Sequence, residues 1–577
     1  MKYKIRQAFP EDVIPALDLA LRVFIEFEAP EYEPIGTENF KKDCIYNQVY
    51  INRFLSGDNL MLVAIDMDNE KIIGMIDERG NGDISMLFVD SEYHRQGIAT
   101  ALMSDMVCNL KFQGYNKITL HSSTYAVPFY LNYGFVQTSE AINHYGCIVT
   151  PMEYTPKEIW DVIDEHGNKT GRFIERGRKM ADGDYNLVVQ VWKHNGRDEW
   201  LIDKRASKGG SLDGKWETTG GAAVAGDDSL TAALRETKEE LGIDLDPNKG
   251  TLFNRSIRNG YNGSWLQDTW IFECDIPIES VRFQESETCD AMWATADKIR
   301  EMIDNGEFLG DWFYPYFDEM MMSTKSKFLW NELADDWDAK MGETDNQYHR
   351  QIIRPATLEL LNPQSGEYIL DAACGTGNFS RLLADIGANV TAFDYSEKMI
   401  AYAKSHCTDN INFHIADATN YADLMKLKHD HPFDKAVSNM AVMDIFDIEP
   451  MFKSIYDMLK IGGIFVFSSV HPCFQTPNMR QFTEVNDYTG DSYIRSGIQT
   501  CEYIKPQTHM VTALARNGKQ VLHFHRPLSM ILTMCFEIGF LLDGMKEPVF
   551  AKPDNINIHK FDWYEIPPSI IIRLRKV

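Results

Sequence analysis

The chain reads as an α/β protein built from several domains. Its 577 residues exceed what one hydrophobic core sustains, because single cores stop growing near ~250–300 residues. Three times a strand-like run passes through a loop of small residues straight into a helix, at about 83–114, 220–241 and 368–387. Beyond about residue 365, strands and helices alternate regularly, which predicts a doubly wound parallel sheet. The expected domains are residues 1–152, 153–322 and 323–577, with junctions at Thr155-Pro156 and at Met320 to Lys325.

Composition narrows the function. The formal charge of -28, from 85 acidic and 57 basic residues, opposes binding to nucleic acid or an anionic membrane by general attraction. Ten cysteines are scattered without a Cys-x-x-Cys pair, as expected of reduced thiols. The N-terminus has no apolar signal core, and no run of about 20 apolar residues occurs. These features predict a cytoplasmic protein. Oligomeric state is not legible.

In the first domain, residues 3–8 alternate as a short strand and Pro10-Glu11-Asp12 opens an amphipathic helix to about Phe27. Residues 59–66 and 71–79 form a strand pair, and 83–90 a third strand. Then come His94-Arg95-Gln96-Gly97-Ile98-Ala99 and a helix to about Gly114. Such a junction cradles anions, because backbone N–H groups and the positive helix end face the ligand. Further on stands Phe129-Tyr130-Leu131-Asn132-Tyr133-Gly134-Phe135. The loop resembles the acyl-CoA loop of the GNAT acetyltransferases, with His94 in place of their Gln or Arg, and the second segment resembles their Phe-Tyr-x-x-x-Gly-Phe. The resemblance implies the GNAT mixed α/β fold and acetyl-CoA as cofactor. His94, Arg95, Gln96, Gly97, Ile98 and Ala99 would hold its pyrophosphate, and Leu87 and Val89 its pantetheine arm. Tyr130 would protonate the departing thiolate. Glu26, Glu28, Glu31 and Glu33 cluster after the first helix and suggest a cationic, small-molecule amine acceptor. Glu78 and Glu92 are alternative general bases.

The middle domain carries the firmest pattern, Gly221 to Ile243. Residues 230–241 contain neither Pro nor Gly and end at Gly242, so they read as a helix. Residues three and four apart share a helix face. Glu236, Glu239 and Glu240 therefore project together and repel unless a hard cation such as Mg²⁺ sits among them. Arg235 can steady them, and Gly220-Gly221 is expected to form a tight turn. The spacing resembles the Nudix signature, with Asp227 where Glu is usual and Thr237 where an apolar residue is usual. The opening WDVIDEHGNKTG and Asp203-Lys204-Arg205 resemble the isopentenyl diphosphate isomerase-like branch, though its catalytic cysteine has no equivalent. The resemblance implies an α/β/α sandwich and Mg²⁺- or Mn²⁺-assisted attack of water on a diphosphate-linked substrate. Glu236, Glu239 and Glu240 would be metal ligands and catalytic groups, with Glu287 as a distal base.

In the third domain, strand 368–372 runs into Ala373-Cys374-Gly375-Thr376-Gly377, and strand 389–394 ends in an acid. Ligands bind at the carboxyl ends of such strands. Asp371-x-Ala373-x-Gly375-x-Gly377 resembles motif I of class I S-adenosylmethionine methyltransferases, with Ala373 for the first Gly, and implies their Rossmann-like sheet. Asp394 would hold the ribose, Asp417 and Ala418 the adenine, and Asn439 the tip of the fourth strand. His471 is placed as a base, with His525 as a second possibility. Without an Asn-Pro-Pro-Tyr motif or a basic tract, a small-molecule methyl acceptor is expected, and no nucleic acid or membrane partner. The whole predicts a multifunctional enzyme of three activities. The alternative is one active domain, with the others serving as ligand sensors or assembly modules.

Overall fold

The computed structural model describes residues 3–260, 263–341, 346–407, 411–486, 493–514, 518–551 and 563–577. Residues 1–195 with 200–293 form one compact unit, and 196–199 with 294–577 a second.

The first unit contains two sheets. One runs in the order Tyr3–Gln7, Met61–Asp66, Ile72–Glu78, Asp83–Val89, Ile118–Ser123, Cys147–Tyr154, Val136–Gln137. Period-two alternation feeds both of its faces. Met61, Val63, Met75, Met86 and Phe88 pack under helix Pro10–Phe27, while Leu62, Ala64, Ile73, Ile76 and Ile84 pack under helix Ile98–Phe112. Asp83–Val89 and Ile118–Ser123 are parallel but register only at Asp83–Thr119 and Ile84–Leu120. Past Ile84 the two strands diverge, so Leu87 and Val89 stand beside an opening in the sheet.

The second sheet is built on Tyr185–His194. This strand pairs in parallel with Gly263–Glu273 and antiparallel with Gly220–Ala222 and Glu199–Arg205. Helix Ser229–Leu241 lays Ala232, Ala233 and Leu241 on Val189, Val191, Leu201 and Phe272. Asp228 caps it by accepting from the Thr231 N–H at 2.7 Å, and Gly242 ends it at φ +68°. Gly220 and Gly221 do not form the expected turn; they lie within a strand. A Cβ on Gly221 would fall inside the Glu236 carboxyl group, so glycine is needed there for close approach rather than for bending. The two sheets are joined within this unit by the Tyr154 hydroxyl, which donates to Glu175 at 2.7 Å, and by Phe112 stacked on Phe173 at 4.6 Å.

The second unit holds a seven-stranded sheet ordered Ile411–Ile415, Asn389–Asp394, Tyr368–Ala372, Phe433–Ser438, Leu459–Val470, Ser569–Lys576, Phe540–Lys546. Six of the strands run parallel to one another and only Ser569–Lys576 runs against them, antiparallel to both Leu459–Val470 and Phe540–Lys546. Met320 to Lys325, expected to be a junction, lies inside the continuous helix Phe317–Met341. That stretch contains neither Pro nor Gly to break a helix. The ten cysteines are free thiols. Among the described residues no helix is long and apolar enough to cross a membrane.

Candidate functional sites

At the first junction, the His94 ring bonds the Val89 carbonyl at 2.8 Å and folds the loop back on its strand. Arg95 at φ +60° and Gly97 at φ +84° then turn the chain into helix Ile98–Phe112. The first amides of that helix lack intrahelical partners. Arg95, Gln96 and Gly97 are exposed, Ile98 is buried and Ala99 half-buried. Tyr130 is buried against Phe129 and Phe135, with its hydroxyl held above the ordinary range by burial and by the charge of Glu28. The four-acid cluster separates: Glu26, Glu31 and Glu33 are exposed. Glu28 instead accepts from the Ser123 hydroxyl at 2.9 Å, and burial pushes its carboxyl up to about 7. Glu92 is exposed, while the buried Glu78 is also raised by burial.

On the middle helix, Arg235 acts as a staple. It donates to Asp227, Glu236 and Glu239 at 3.0 Å each and to the Ala222 carbonyl at 3.1 Å. Thr237 is tolerated at its apolar position because its buried hydroxyl donates to the Ala233 carbonyl at 2.9 Å. Glu239 is exposed, and Glu240 turns inward. Burial, then the charges of Asp203, Glu217 and Glu236, hold Glu240 well above the carboxylate range. Glu217 is pushed up to about 7 by burial and by Asp203, although Arg205 grips it at 2.7 and 2.8 Å. The fully buried Lys193 donates to the Thr219 hydroxyl at 2.6 Å, which donates to Asp203 at 3.0 Å. Asp203 Oδ2 has no hydrogen-bond partner. Glu287 pairs with Lys208 at 2.8 Å, and its charge helps raise Glu217. Among the described residues no three acidic, His or Cys side chains already converge at metal-holding distance. The donor chemistry nonetheless fits a hard cation: several oxygen ligands, mutually repelling, one buried oxygen unsatisfied.

The third site is a cavity of about 1190 Å³ including its open mouth, lined by Ala373, Gly375, Asp394, Asp417, Ala418, Asn439 and Asp444 among others. Ala373, Gly375 and Gly377 all take positive φ, and a Cβ on Gly377 would stand 3.1 Å from Phe413 and Ala403. Asp371 lies beneath the loop, bonded by Ser380 Oγ at 2.5 Å, and is pushed up to about 7 by burial and by Asp394. Asp394 accepts the Gly375 and Ser396 N–H groups at 3.0 Å each. Asp417 pairs with Lys327 and accepts the Thr419 N–H at 2.9 Å; although burial opposes it, this pairing holds the carboxyl below the usual range. Asn439 Oδ1 accepts from Thr357 and Ser468.

His471 does not line this cavity. Its ring is 2% exposed, held by Glu547 at 2.8 Å and by the Cys473 N–H at 3.2 Å. Both nitrogens are consumed structurally, which removes it as a base. His525 is likewise bonded to the Tyr503 carbonyl at 2.8 Å.

Comparison with known proteins matches each region. Family models match an acetyltransferase (GNAT) domain at residues 28–156, a NUDIX domain at 184–313 and a methyltransferase domain at 363–522. An uncharacterised Nudix hydrolase of Listeria monocytogenes is 32% identical over 163 residues, 28% of this chain and 90% of that protein. The chain belongs to the Nudix hydrolase family. It is an enzyme, a fusion of GNAT, Nudix and methyltransferase domains. The malonyl-[acyl-carrier protein] O-methyltransferase of Pectobacterium atrosepticum is 35% identical over 114 residues, 20% of this chain and 42% of the relative. A solved S-adenosylmethionine-dependent methyltransferase of Mesorhizobium loti is 26% identical, with 38% of this chain and 96% of that one covered and a TM-score of 0.31. The GNAT and methyltransferase domains point to an acyl-CoA and S-adenosylmethionine as cofactors.

Sequence reading of the Nudix domain missed Lys193 and Glu217, and used Asp203 only as part of a resemblance. Asp203 and Glu217 are direct partners across adjacent strands, a pairing no local pattern reveals. In the methyltransferase domain it missed Asp444, which lies five residues beyond the strand tip at Asn439.

Proposed function

We propose that all three domains are catalytic: an acetyl-CoA-dependent N-acetyltransferase, a Mg²⁺- or Mn²⁺-dependent phosphoanhydride hydrolase, and an S-adenosylmethionine-dependent small-molecule methyltransferase, acting in the cytoplasm. The observation that carries the hydrolase part of this reading is the carboxylate cluster of the Nudix domain. Glu236, Glu240, Glu217 and Asp203 face one another with Lys193 and Arg205 as partial counter-charges. Such repulsion is retained where a site works on a cation.

Glu236, Glu239 and Glu240 would hold the divalent ion. When bound, it neutralises phosphate charge and lowers the pKa of the attacking water. Arg235 keeps Glu236 and Glu239 aimed, and its bond to the Ala222 carbonyl ties the helix to its neighbouring strand. Buried Lys193 limits the repulsion between Asp203 and Glu240 before the ion arrives. The substrate is a diphosphate linked to a further group.

In the GNAT domain, the helix-start amides of 97–99 bind the CoA pyrophosphate. Glu28 takes the proton of a small-molecule amine acceptor, since a carboxyl near 7 accepts a proton reversibly at neutral pH. Tyr130 returns a proton to the thiolate. In the methyltransferase domain, Asp394 and Asp417 are fixed at the strand ends where ribose and adenine dock. Methyl transfer then needs mainly alignment in a dry site.

Thermal unfolding of the full chain tests the reading. Acetyl-CoA, S-adenosylmethionine, and Mg²⁺ with ADP-ribose are each added alone. A ligand at ~100 times its dissociation constant stabilises its own domain by about 2.7 kcal/mol. Acetyl-CoA and S-adenosylmethionine should raise different transitions, and a terminal domain that gives no shift at saturation is not catalytic.

A further inference from the structure

Three acids line the methyltransferase cavity, and one of them has no assigned work. Asp394 is held by two backbone N–H groups, and Asp417 by Lys327 and Thr419. Asp444 is different. Its side chain is 10% exposed, and Oδ1 has no well-aligned hydrogen-bond donor. Nε2 of His523 stands 3.2 Å from that oxygen. His523 lies on strand Gln520–His525, with His509 its cross-strand partner at 5.9 Å between rings, edge to face.

The loop that presents Asp444 is tied on all sides. The Phe524 N–H donates to the Met443 carbonyl at 2.7 Å. Arg526 donates to the carbonyls of Val442 at 3.1 Å, Ile445 at 2.8 Å, and Phe446. Ser326 Oγ donates to the Asp444 carbonyl at 2.9 Å. A carboxylate pinned on a cavity wall with a buried oxygen met only by an imidazole is costly unless a cation or proton joins it there. The same cavity is walled by Trp330 and Trp337, 5.2 Å apart and edge to face, whose rings favour cationic groups.

We propose that Asp444, backed by His523, receives the methyl acceptor and that this acceptor is an amine. The proposal rests on the methyltransferase reading of this cavity. The acceptor's ammonium gives a proton to the Asp444 carboxylate. The freed nitrogen lone pair forms the N–CH₃ bond while the S–CH₃ bond of the methyl sulfonium breaks, its electron pair staying on sulfur. The products are the methylated ammonium and S-adenosylhomocysteine, and the proton leaves Asp444 through Nε2 of His523.

Calorimetry on the full chain tests this without knowledge of the acceptor. The probes are S-adenosylhomocysteine, which lacks the methyl, and sinefungin, which carries an ammonium-bearing carbon in its place. The wild type should prefer sinefungin by about tenfold, equivalent to about 1.4 kcal/mol. Asp444→Asn should abolish that preference while its affinity for S-adenosylhomocysteine changes by less than about twofold. His523→Gln should lower the preference by about threefold. Equal changes for both probes, or an unchanged preference in Asp444→Asn, overturn the proposal. If Asp444→Asn binds neither probe through misfolding, His523→Gln decides: an undiminished preference there overturns it. A wild type that binds neither probe overturns the methyltransferase reading itself, and the proposal with it.

Discussion

The carboxylates of the Nudix helix and those of the methyltransferase cavity are the same chemical groups in opposite circumstances. In the methyltransferase domain, Asp394 meets two backbone amides and Asp417 meets Lys327 and Thr419. In the Nudix domain, Glu240 meets the charges of Asp203, Glu217 and Glu236, and all four carboxyls are driven upward. Asp394 and Asp417 have their partners in the bare chain, although burial still raises Asp394, and in that cavity only Asp444 is left to a ligand. The Nudix cluster is complete only once a cation joins it. Damage to the two should therefore look different: removing an acid should loosen the methyltransferase cavity and relax the Nudix cluster.

The largest effect should come from Glu240→Gln. It removes the most crowded charge, so the metal-free Nudix transition should rise by about 1 kcal/mol, or ~2–4 °C for a domain of 150–250 residues. Mn²⁺ affinity should meanwhile fall beyond the roughly 10–100-fold that outer-shell changes cost. Calorimetric Mn²⁺ titration beside scanning calorimetry checks both. A lower midpoint with unchanged Mn²⁺ affinity would show that the cluster is structural.

Glycine substitutions test the geometry behind each site. Gly221→Ala forces a methyl into the space of the Glu236 carboxyl and should cost about 1–3 kcal/mol, with Mn²⁺ affinity falling in step. Gly377→Ala adds a side chain at φ +74°, 3.1 Å from Phe413, and should also cost about 1–3 kcal/mol. The Gly377 variant should lose stabilisation by S-adenosylmethionine and keep the Mn²⁺ response. If each variant impaired both responses, neither glycine would be acting locally.

A pH series sharpens the contrast inside the methyltransferase domain itself. Asp371 is raised from 3.8 to about 7. Its contribution to stability is full below about pH 3.8 and is lost as pH rises through about 7. Asp417 is lowered, so its contribution is present above about pH 3.8 and is lost on acidification below that value. The ligand-free transition should therefore weaken between about pH 4 and 7, and Asp371→Asn should flatten that slope. Asp417→Asn should leave the neutral slope and remove stability that the wild type loses only in acid. A slope unchanged by Asp371→Asn would mean that another group titrates there.

Much of this was legible in the chain because the decisive groups are local. The Arg235-to-Glu240 helix, the Gly97 loop and the Ala373-to-Gly377 loop are each set by neighbours within one turn or one junction. What escaped depends on sheet register and on distant partners. Asp203 and Glu217 meet because adjacent strands pair them, and Lys193 reaches them from a third strand. His471 stands beside a strand end, as a catalytic base would, but Glu547, 76 residues on, occupies its ring. Burial and the hydrogen bond from the distant Ser123 separate Glu28 from the exposed Glu26, Glu31 and Glu33.

The smallest effect should come from Thr237→Val, at the position where the chain departs from the Nudix pattern. Its hydroxyl donates to the Ala233 carbonyl, four residues earlier on the same helix. Such a carbonyl already accepts a backbone N–H within the helix, so losing the hydroxyl strands no buried acceptor. Valine keeps the branched shape, and the lost bond is worth only ~0.5–1.5 kcal/mol against a gain in apolar burial. Thr237→Val should therefore move the Nudix transition by less than about 1 kcal/mol and leave Mn²⁺ affinity as it was. The neighbouring Glu236→Gln, one residue away but on the charged side, should lower that affinity sharply. If the two variants behaved alike, the helix would not divide into a packing face and a cation-binding face, and the contrast with the methyltransferase cavity would lose its physical basis.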